Sequence, residues 1–178
     1  MSNRDETIKH IDNVYSKIHK IIGQLYLRGI DHDKSKLEEP EASAFEKTYE
    51  KLKGSTYGSK EYNQFLVELG PALQHHYMNN RHHPEHFKKF ICTCCFESSR
   101  KEQEKCPSCE NTEFVIKPDI DQMNLVDIVE MFCDWLAATE RHADGDIFAS
   151  IDLAVERFGL SEQLKEIFKN TAKDIFHK

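Results

Sequence analysis

The short run DHDKSK at positions 31–36 contains a group of residues that could together carry out chemistry. This run places the imidazole of His32 beside the carboxylate of Asp33, and the two together suit a catalytic divalent metal ion. The ammonium group of Lys36, three residues later, suits a phosphate group. A His-Asp pair occurs by chance in many chains, so its weight depends on further ligands elsewhere. His10, a later histidine-rich segment and an acidic helix supply such candidates.

The segment from 75 to 86 holds five of the ten histidines of the chain. On a helix His76 and His83 would share a face with Asn80, because they are separated from it by four and three residues. Pro84 makes His83 a predicted helix end, where metal ligands often lie. The alternative is a polar, solvated helix end, but the density of imidazoles favours a metal site.

Residues 91–117 differ in composition from everything around them. They contain two Cys-x-x-Cys motifs, a pattern typical of a tetrahedral Zn²⁺ ion bound by four thiolates. The four cysteines are Cys92, Cys95, Cys106 and Cys109. Cys94 could replace Cys92 or Cys95. Such a site has no open coordination position, so this zinc ion is predicted to be structural. Disulfides are the alternative, and the lack of a secretory feature disfavours them.

A helix predicted over 124–139 carries Asp127, Glu130 and Asp134 on a face separate from its apolar residues. Most such patterns are solvated acidic faces. Asp134, however, precedes the small and apolar residues 135–138. We therefore expect it to approach the core, where a carboxylate needs a cation or strong hydrogen-bond donors.

Helical periodicity predicts the elements that position these groups. The chain should be all-α apart from the cysteine-rich segment, with a long amphipathic first helix that ends at Gly29 and a kink at Pro71 in a later one. The predicted helices cover residues 5–28, a stretch from 40 onwards, residues 60–80 and 124–139, and two supporting helices after 140. The residues from 54 to 59 have the composition of a loop.

Length and composition restrict the class of protein. The 178 residues fit one domain with a hydrophobic core and one insertion. Lysine and arginine total 24 against 31 acidic residues, and the net charge of −7 disfavours broad electrostatic binding of nucleic acid. No apolar run has the length that a bilayer requires, and the first residues are too polar for a signal peptide. We expect a cytoplasmic protein without a membrane partner.

The motifs that carry histidine and aspartate resemble those of the HD superfamily of metal-dependent phosphohydrolases. The His-Asp-x-x-Lys run, the later His-His pair and an Asp followed by small, apolar residues are similar to its bimetallic cyclic-dinucleotide phosphodiesterase branch. The whole chain more closely resembles a family of phage and bacterial proteins of unknown function, with the motifs His-Asp-x-Ser-Lys, His-(x)3-Asn-x-His-His and Glu-Met-x-x-Asp-Trp. These motifs begin here at His32, His76 and Glu130. The cysteine-rich segment looks like an addition to that family's plan.

The HD resemblance implies an HD-domain-like helical bundle, which residues 1–90 and 118–178 would form. The two Cys-x-x-Cys motifs predict a small zinc ribbon inserted at 91–117. The HD resemblance also implies one or two catalytic divalent metals. The ligands of the first metal would be His10, His32, Asp33 and Asp134. The ligands of a second metal would be Asp33, His76 and either His82 or His83.

Further roles follow from the same resemblance. Asp127 is the alternative to Asp134 as a ligand. Glu130 would orient a ligand histidine. Lys36 and Arg81 would hold a phosphate group. The ligand types suit Mn²⁺, Fe²⁺, Co²⁺, Ni²⁺, Zn²⁺ or Mg²⁺ without choosing among them. Water activated by such metals would attack phosphorus in line. The predicted function is therefore a phosphomonoesterase or phosphodiesterase for a small phosphorylated substrate, a nucleotide.

Two alternatives stay open at this point. In the first, the same scaffold holds two iron ions and activates O₂, as a minority branch of the superfamily does. In the second, the protein is a non-enzymatic binding module whose zinc ribbon engages a protein or nucleic acid. The sequence leaves the substrate, the native metal and the oligomeric state open.

Overall fold

A computed structural model describes residues 2–55, 59–141 and 145–176, without the side chains of Leu52 and Lys53. Part of the loop predicted over 54–59 lies outside these residues. The described chain is mostly helical, so the predicted predominance of helix is confirmed. Its α-helices are α1 (Asn3–Asp31), α2 (Glu41–Lys53), α3 (Lys60–Asn79), α4 (Leu125–Thr139), α5 (Ile147–Phe158) and α6 (Glu162–Thr171). Its strands are β1 (Lys88–Cys92), β2 (Ser98–Ser99) and β3 (Phe114–Pro118).

The first helix, α1, begins with a capping box in which the hydroxyl of Ser2 accepts from the backbone N–H of Asp5 and the Asp5 carboxylate accepts from the N–H of Ser2. The expected end at Gly29 was wrong, because the helix continues to Asp31. Arg28 explains the continuation, since its guanidinium binds two carboxylates of α4 and holds the last turn of α1 in place.

The kink predicted in α3 is present. Gly70 has a φ of 45° inside the helix, and Pro71 follows it. Glycine adopts positive φ at little cost, and proline cannot donate the next helical hydrogen bond, so the two residues together redirect the chain. The second half of α3 then carries His75 and His76 and ends at Asn79.

The apolar core lies between α4, α5 and α6. The rings of Phe132 and Phe168 stack with centroids 4.9 Å apart, and Trp135 meets Phe168 edge-on at 5.6 Å. Ile151 of α5 is completely buried against them, and Gly159, with a φ of 69°, ends that helix. Because the apolar face of α4 is anchored in this core, its other face carries the acidic residues towards α1 and the histidine segment.

The small sheet has the strand order β2-β1-β3 with both pairings antiparallel. Asp119, buried directly after β3, joins the sheet to the helical part of the chain. Its backbone N–H donates to the carbonyl of Phe87 at 2.9 Å, and its carboxylate accepts from Arg100 and Gln122, each at 2.9 Å. The strands thus reach from 88 to 118 and enclose both Cys-x-x-Cys motifs.

None of the helices in the described ranges combines the length and the apolar character needed to cross a membrane.

The core predicts a contrast between two neighbouring positions of α5. The side chain of Ile151 has no exposed surface, so Ile151→Ala should lower the free energy of unfolding by about 2–4 kcal/mol through lost burial and a cavity. Leu153→Ala removes a side chain that is 46% exposed and should cost less than about 1 kcal/mol. Urea unfolding followed by circular dichroism measures both. Equal losses would contradict a core centred on these three helices.

Candidate metal centre

The centre forms where three segments meet: the turn after α1, the chain from the end of α3 into β1, and α4. Asp33 has a φ of 55°, a left-handed conformation that aspartate tolerates better than most residues. A 3-10 turn over Lys34–Leu37 follows it directly. The chain therefore reverses sharply at Asp33, and this reversal leaves the carboxylate at the junction of the segments.

One group of potential ligands surrounds a single oxygen of Asp33. Its Oδ1 atom lies 3.3 Å from Nε2 of His76 and 3.5 Å from Nε2 of His82. The Nε2 atom of His83 is 2.8 Å from that of His76. One ligand atom from each of these four residues lies within 4.8 Å of the others, which is close enough to hold one metal ion.

A second group faces the other oxygen of Asp33. Its Oδ2 atom lies 3.6 Å from Nε2 of His32, and the same nitrogen lies 3.5 Å from Oδ1 of Asp134. His32, Asp33 and Asp134 also bring one ligand atom each within 4.8 Å of one another. Asp33 therefore belongs to both groups, and its two oxygens point to different ones. A carboxylate in this position can bridge two metal ions.

Two buried carboxylates orient the imidazoles from behind. Glu130 of α4 lies 3.0 Å from Nδ1 of His32 and 3.1 Å from Nδ1 of His82. Glu41, at the start of α2, lies 2.8 Å from Nδ1 of His76. A carboxylate only accepts hydrogen bonds, so each favours a proton on Nδ1 and leaves Nε2 facing the centre. This is the usual outer arrangement around histidine ligands of a metal.

Several buried atoms of the centre have no hydrogen-bond partner among the described residues. They include Oδ1 of Asp33 and both ring nitrogens of His82. The Nδ1 atom of His82 is near Glu130 but is not aligned for a hydrogen bond. Buried polar atoms without partners cost free energy, about 1–3 kcal/mol each. The donor set therefore fits a cation, which would satisfy the Asp33 oxygen and the Nε2 atom of His82 together.

The carboxylates and the burial of the centre shift the pKa values of its histidines in opposite directions. Hydrogen bonds to Asp134 and Glu130 raise the pKa of His32 to about 10. Burial raises the pKa of Glu130, but its hydrogen bond to His32, the nearness of His82 and the charge of Arg28 outweigh burial and hold that pKa well below the ordinary value. Burial lowers the pKa of His83 far below its usual range, so this imidazole is neutral and suited to bind a metal.

Two predicted site residues are placed elsewhere, and both predictions are corrected. His10 lies 22 residues before His32 on the single continuous helix α1, about 33 Å away along its axis. The two cannot bind one metal within a chain. Arg81 is bound to buried Asp127 through Nε and Nη2, at 3.2 and 2.9 Å, and its guanidinium packs on Phe87. Two of its guanidinium nitrogens are therefore engaged with Asp127.

The same contacts decide between the two candidate aspartates of α4. Asp127 is completely buried, caps the start of α4 and pairs with Arg28 and Arg81. Its role is to fasten α1 and the histidine segment to α4. Asp134, two turns later, is the one that reaches His32.

Sequence reasoning missed Glu41 and Arg28. Glu41 is fully buried and binds His75, His76 and Ser35. The local signal is Ser35 within the His-Asp-x-Ser-Lys motif. A serine there indicates a hydrogen bond, but the sequence does not show that Glu41 accepts it. Arg28 binds Glu130 at 2.6 Å and Asp127 at 3.1 Å. No feature of its neighbourhood in sequence distinguishes it from a solvated arginine.

A cavity of about 890 Å³ opens beside the centre. The ligand residues His32, Asp33, His76, His83 and Asp134 line part of its wall. Cationic side chains line it as well, namely Lys34, Lys36, Arg141 and Arg157. Its aromatic residues are Phe45, Tyr49, Tyr62, Tyr77, Trp135 and Phe158. This combination can receive an organic molecule that carries an anionic group.

The four cysteines of the two motifs form a separate cluster. The sulfur atoms of Cys92 and Cys109 are 3.5 Å apart, as are those of Cys95 and Cys106. A disulfide needs about 2.05 Å, whereas thiolates around one tetrahedral Zn²⁺ ion are about 3.8 Å apart. The cluster can therefore hold a metal, and exposed Cys94 lies outside it.

The two cysteine loops have the same backbone conformation. The residue four places after the first cysteine of each motif, Phe96 or Glu110, has a φ near 60° and donates to the carbonyl of that cysteine. The N–H of Cys95 lowers the pKa of Cys92 to about 6, whereas burial and the neighbouring thiols raise the pKa values of Cys95 and Cys109. One thiolate is therefore favoured, and a cation would be needed to hold four of them together.

Residues 1–176 match the profile of DUF5662, which is described as a family of unknown function. The chain belongs to the DUF5662 family. Comparisons with curated proteins and with solved structures gave no match. For this DUF5662 protein the function must therefore be argued from the centre itself.

His32, directly after α1, and His10, near the start of α1, allow a sharp test of the ligand set. His32→Ala should weaken binding of Mn²⁺ by at least about tenfold, because one group loses a ligand and Glu130 loses a partner. His10→Ala on the same helix should bind Mn²⁺ like the wild type. Equilibrium dialysis with metal analysis measures both. An equal loss in both variants would restore His10 to the site.

Proposed function

We propose that this DUF5662 protein is a metal-dependent phosphohydrolase, a phosphomonoesterase or phosphodiesterase that acts on a nucleotide. The observation that carries the proposal is the pair of ligand groups that share Asp33 at the wall of a cavity with cationic and aromatic sides. Two adjacent metal positions are typical of enzymes that break phosphoester bonds. The proposal includes an HD-like arrangement of the helices around this centre.

The residues of the centre fit divalent metals. His76, His82, His83 and Asp33 would hold one ion, and His32, Asp33 and Asp134 the other. Bound there, a divalent metal would lower the pKa of water and neutralise charge on phosphoryl oxygens. Imidazole and carboxylate ligands suit Mn²⁺, Fe²⁺, Co²⁺, Ni²⁺ and Zn²⁺. Glu130 and Glu41 keep the Nε2 atoms aimed at the centre, so the site is organised before a substrate arrives.

The cavity supplies the groups that would hold a nucleotide. Lys36 lies at the centre itself, with its Nζ atom 2.6 Å from Oδ2 of Asp33. Its ammonium can meet a phosphoryl oxygen beside the ligand groups. Arg141 lines the same cavity and offers a second cation for the phosphate-binding role predicted for Arg81. Aromatic walls such as Trp135 can pack against a base, and the volume falls within the range of small-molecule sites.

The iron-dependent alternative keeps one specific observation in its favour. The group around Oδ1 of Asp33 has three histidines and one carboxylate, a ligand set that suits Fe²⁺ as well as it suits the other metals. Oxygen uptake by iron-loaded protein, with no release of phosphate from any nucleotide, would favour that alternative. Phosphate release with several different divalent metals and in the absence of O₂ would favour hydrolysis.

We further propose that the cysteine cluster binds one structural Zn²⁺ ion. Four protein thiolates fill a tetrahedral shell and leave no position for a substrate. The sheet that carries the cluster is tied to the helical part of the chain through Asp119. The metal would therefore stabilise the sheet and act separately from the ligand groups around Asp33.

Hydrolysis should depend on one of two neighbouring carboxylates. Asp33→Asn should lower kcat/KM for the best nucleotide by at least about a hundredfold, since both ligand groups lose their shared anion. Asp31→Asn is the matched control, because this exposed carboxylate pairs with Lys34 and, among the described residues, belongs to neither ligand group. It should stay within about twofold of the wild type. Phosphate release and chromatography over a set of nucleoside monophosphates and cyclic dinucleotides measure the effect. No turnover by metal-loaded wild type on any of them would overturn the proposal.

The zinc assignment has its own paired test. Cys109→Ser removes one of the four clustered thiols, so the zinc content should fall from one ion per chain towards zero and the thermal midpoint should drop. Cys94→Ser changes an exposed cysteine outside the cluster and should leave both quantities unchanged. Mass spectrometry of the metal content and a thermal melt provide the readouts. Full zinc content in Cys109→Ser would exclude a four-thiolate site.

A further inference from the structure

Helix α1 exposes a continuous apolar face. All residues from 2 to 24 are exposed, and α1 has no buried residue anywhere along its length. The apolar side chains keep large exposed fractions, including 58% for Ile11, 51% for Ile18 and 52% for Ile22. Monomeric soluble proteins rarely expose contiguous apolar surfaces of this extent.

The apolar residues of α1 follow a heptad pattern. Six of them alternate between spacings of three and four residues, namely Ile8, Ile11, Tyr15, Ile18, Ile22 and Leu25. A spacing that averages 3.5 residues produces a seam along one side of a helix, as in coiled coils. Val14 and Ile21 widen the seam on one side. The seam is about 27 Å long, and no lysine or arginine interrupts it.

Such a helix is poorly suited to exist without a partner. Isoleucine and valine have lower helix propensity than leucine or alanine, because the helix restricts their side chains. Most of the stability of a helix in a protein comes from packing of its apolar face. Among the described residues, the contacts of α1 with the rest of the chain come from its last turns, through residues such as Arg28. The exposed part therefore needs another surface to cover its seam.

We propose that the seam of α1 is covered by α1 of a second copy of this chain, packed antiparallel. In that orientation the six seam residues form self-complementary layers. The layers pair Ile8 with Leu25, Ile11 with Ile22 and Tyr15 with Ile18, each twice by symmetry. A two-fold axis then passes between positions 16 and 17, and the same patch serves both chains, as closed dimers require.

The charges of α1 fit this partner. From Asn3 to Asp31 the helix carries five basic and four acidic side chains, whereas the whole chain has a net charge of −7. Two copies thus meet through the part of the chain where like-charge repulsion is smallest. Beside the seam, the antiparallel register brings Asp12 of one copy near His19 of the other. The acidic first turn, with Asp5 and Glu6, also lies towards the basic end of the partner helix.

A membrane surface is the main rival for an amphipathic helix, and the same features disfavour it. Helices that bind anionic membranes usually have a strongly basic polar face and bury tryptophan, phenylalanine or leucine. The charges of α1 nearly cancel, and its seam consists mainly of isoleucine. The regular heptad spacing also suits a second helix better than a flat lipid surface.

The first test measures the mass of the protein in solution. Light scattering after size exclusion should give twice the 20.8 kDa mass of one chain at micromolar concentration. The double variant Ile11→Glu, Ile18→Glu places charges in the seam and should give the mass of one chain. The matched control Asn13→Glu, Gln24→Glu adds the same charge on the opposite face of α1 and should remain dimeric.

Far-ultraviolet circular dichroism and a cooperative urea transition show whether the seam variant is folded, and neither readout depends on the proposed metal centre. A wild type that is monomeric at these concentrations overturns the proposal. Monomeric wild type that binds vesicles of anionic phospholipid, with binding lost in the seam variant, assigns the face to a membrane instead. A dimer that persists in the folded seam variant also overturns the proposal.

The second test concerns orientation. Ile11→Lys and Ile22→Glu should each weaken the homodimer, but a mixture of the two variants should restore a dimer. In the antiparallel layers the new lysine faces the new glutamate, while the other layer keeps two isoleucines. In a parallel pair position 11 would face position 11, so mixing would restore nothing. Failure of the mixture to recover the mass of two chains would overturn the antiparallel arrangement.

Discussion

The buried carboxylate of Glu130 holds the rest of the centre in place. It accepts from Arg28 at 2.6 Å and lies 3.0 and 3.1 Å from the Nδ1 atoms of His32 and His82. These partners come from the end of α1 and from the segment after α3, whereas Glu130 belongs to α4. A charge that is nine-tenths buried would be costly without these donors. One residue therefore fixes the three segments in position and sets the direction of two imidazoles.

Much of the centre could be predicted, because its information is local. Each pattern is recognisable within a few residues of sequence: the Cys-x-x-Cys spacing, the His-Asp pair and the histidine-rich segment. The structure brings the four cysteines together in one cluster and the histidines and Asp33 together in another. The helices of the core were likewise predictable from periodicity, since α4, α5 and α6 bury one face each. The small strands were not predicted individually, because two to five residues around cysteine loops give no clear alternation.

What could not be predicted depends on contacts between distant parts of the chain. Glu41 and Arg28 look like ordinary surface residues. Only the packing of α2 against α3 buries Glu41, and only the packing of α1 against α4 brings the half-buried Arg28 to its carboxylates. Arg81 was assigned to phosphate because it adjoins the histidines, yet Asp127, 46 residues away, takes its guanidinium. The error at His10 was avoidable. The predicted first helix already places His10 about 28 Å before its expected end at Gly29, which is too far for His10 and His32 to share a metal.

The two oxygens of Asp33 have different neighbours, and this asymmetry has a consequence for how ions would load the centre. Oδ1 faces His76 and His82, whereas Oδ2 faces His32 and already carries a cation, the ammonium group of Lys36. The ammonium group of Lys36 thus neutralises Oδ2 of Asp33 and leaves Oδ1 to the histidines. A metal ion binding on the side of Oδ2 would compete with Lys36, so its affinity would depend on the occupancy of the neighbouring position as well. Displacement of the lysine would release its positive charge into the cavity at the moment when the neighbouring position becomes filled.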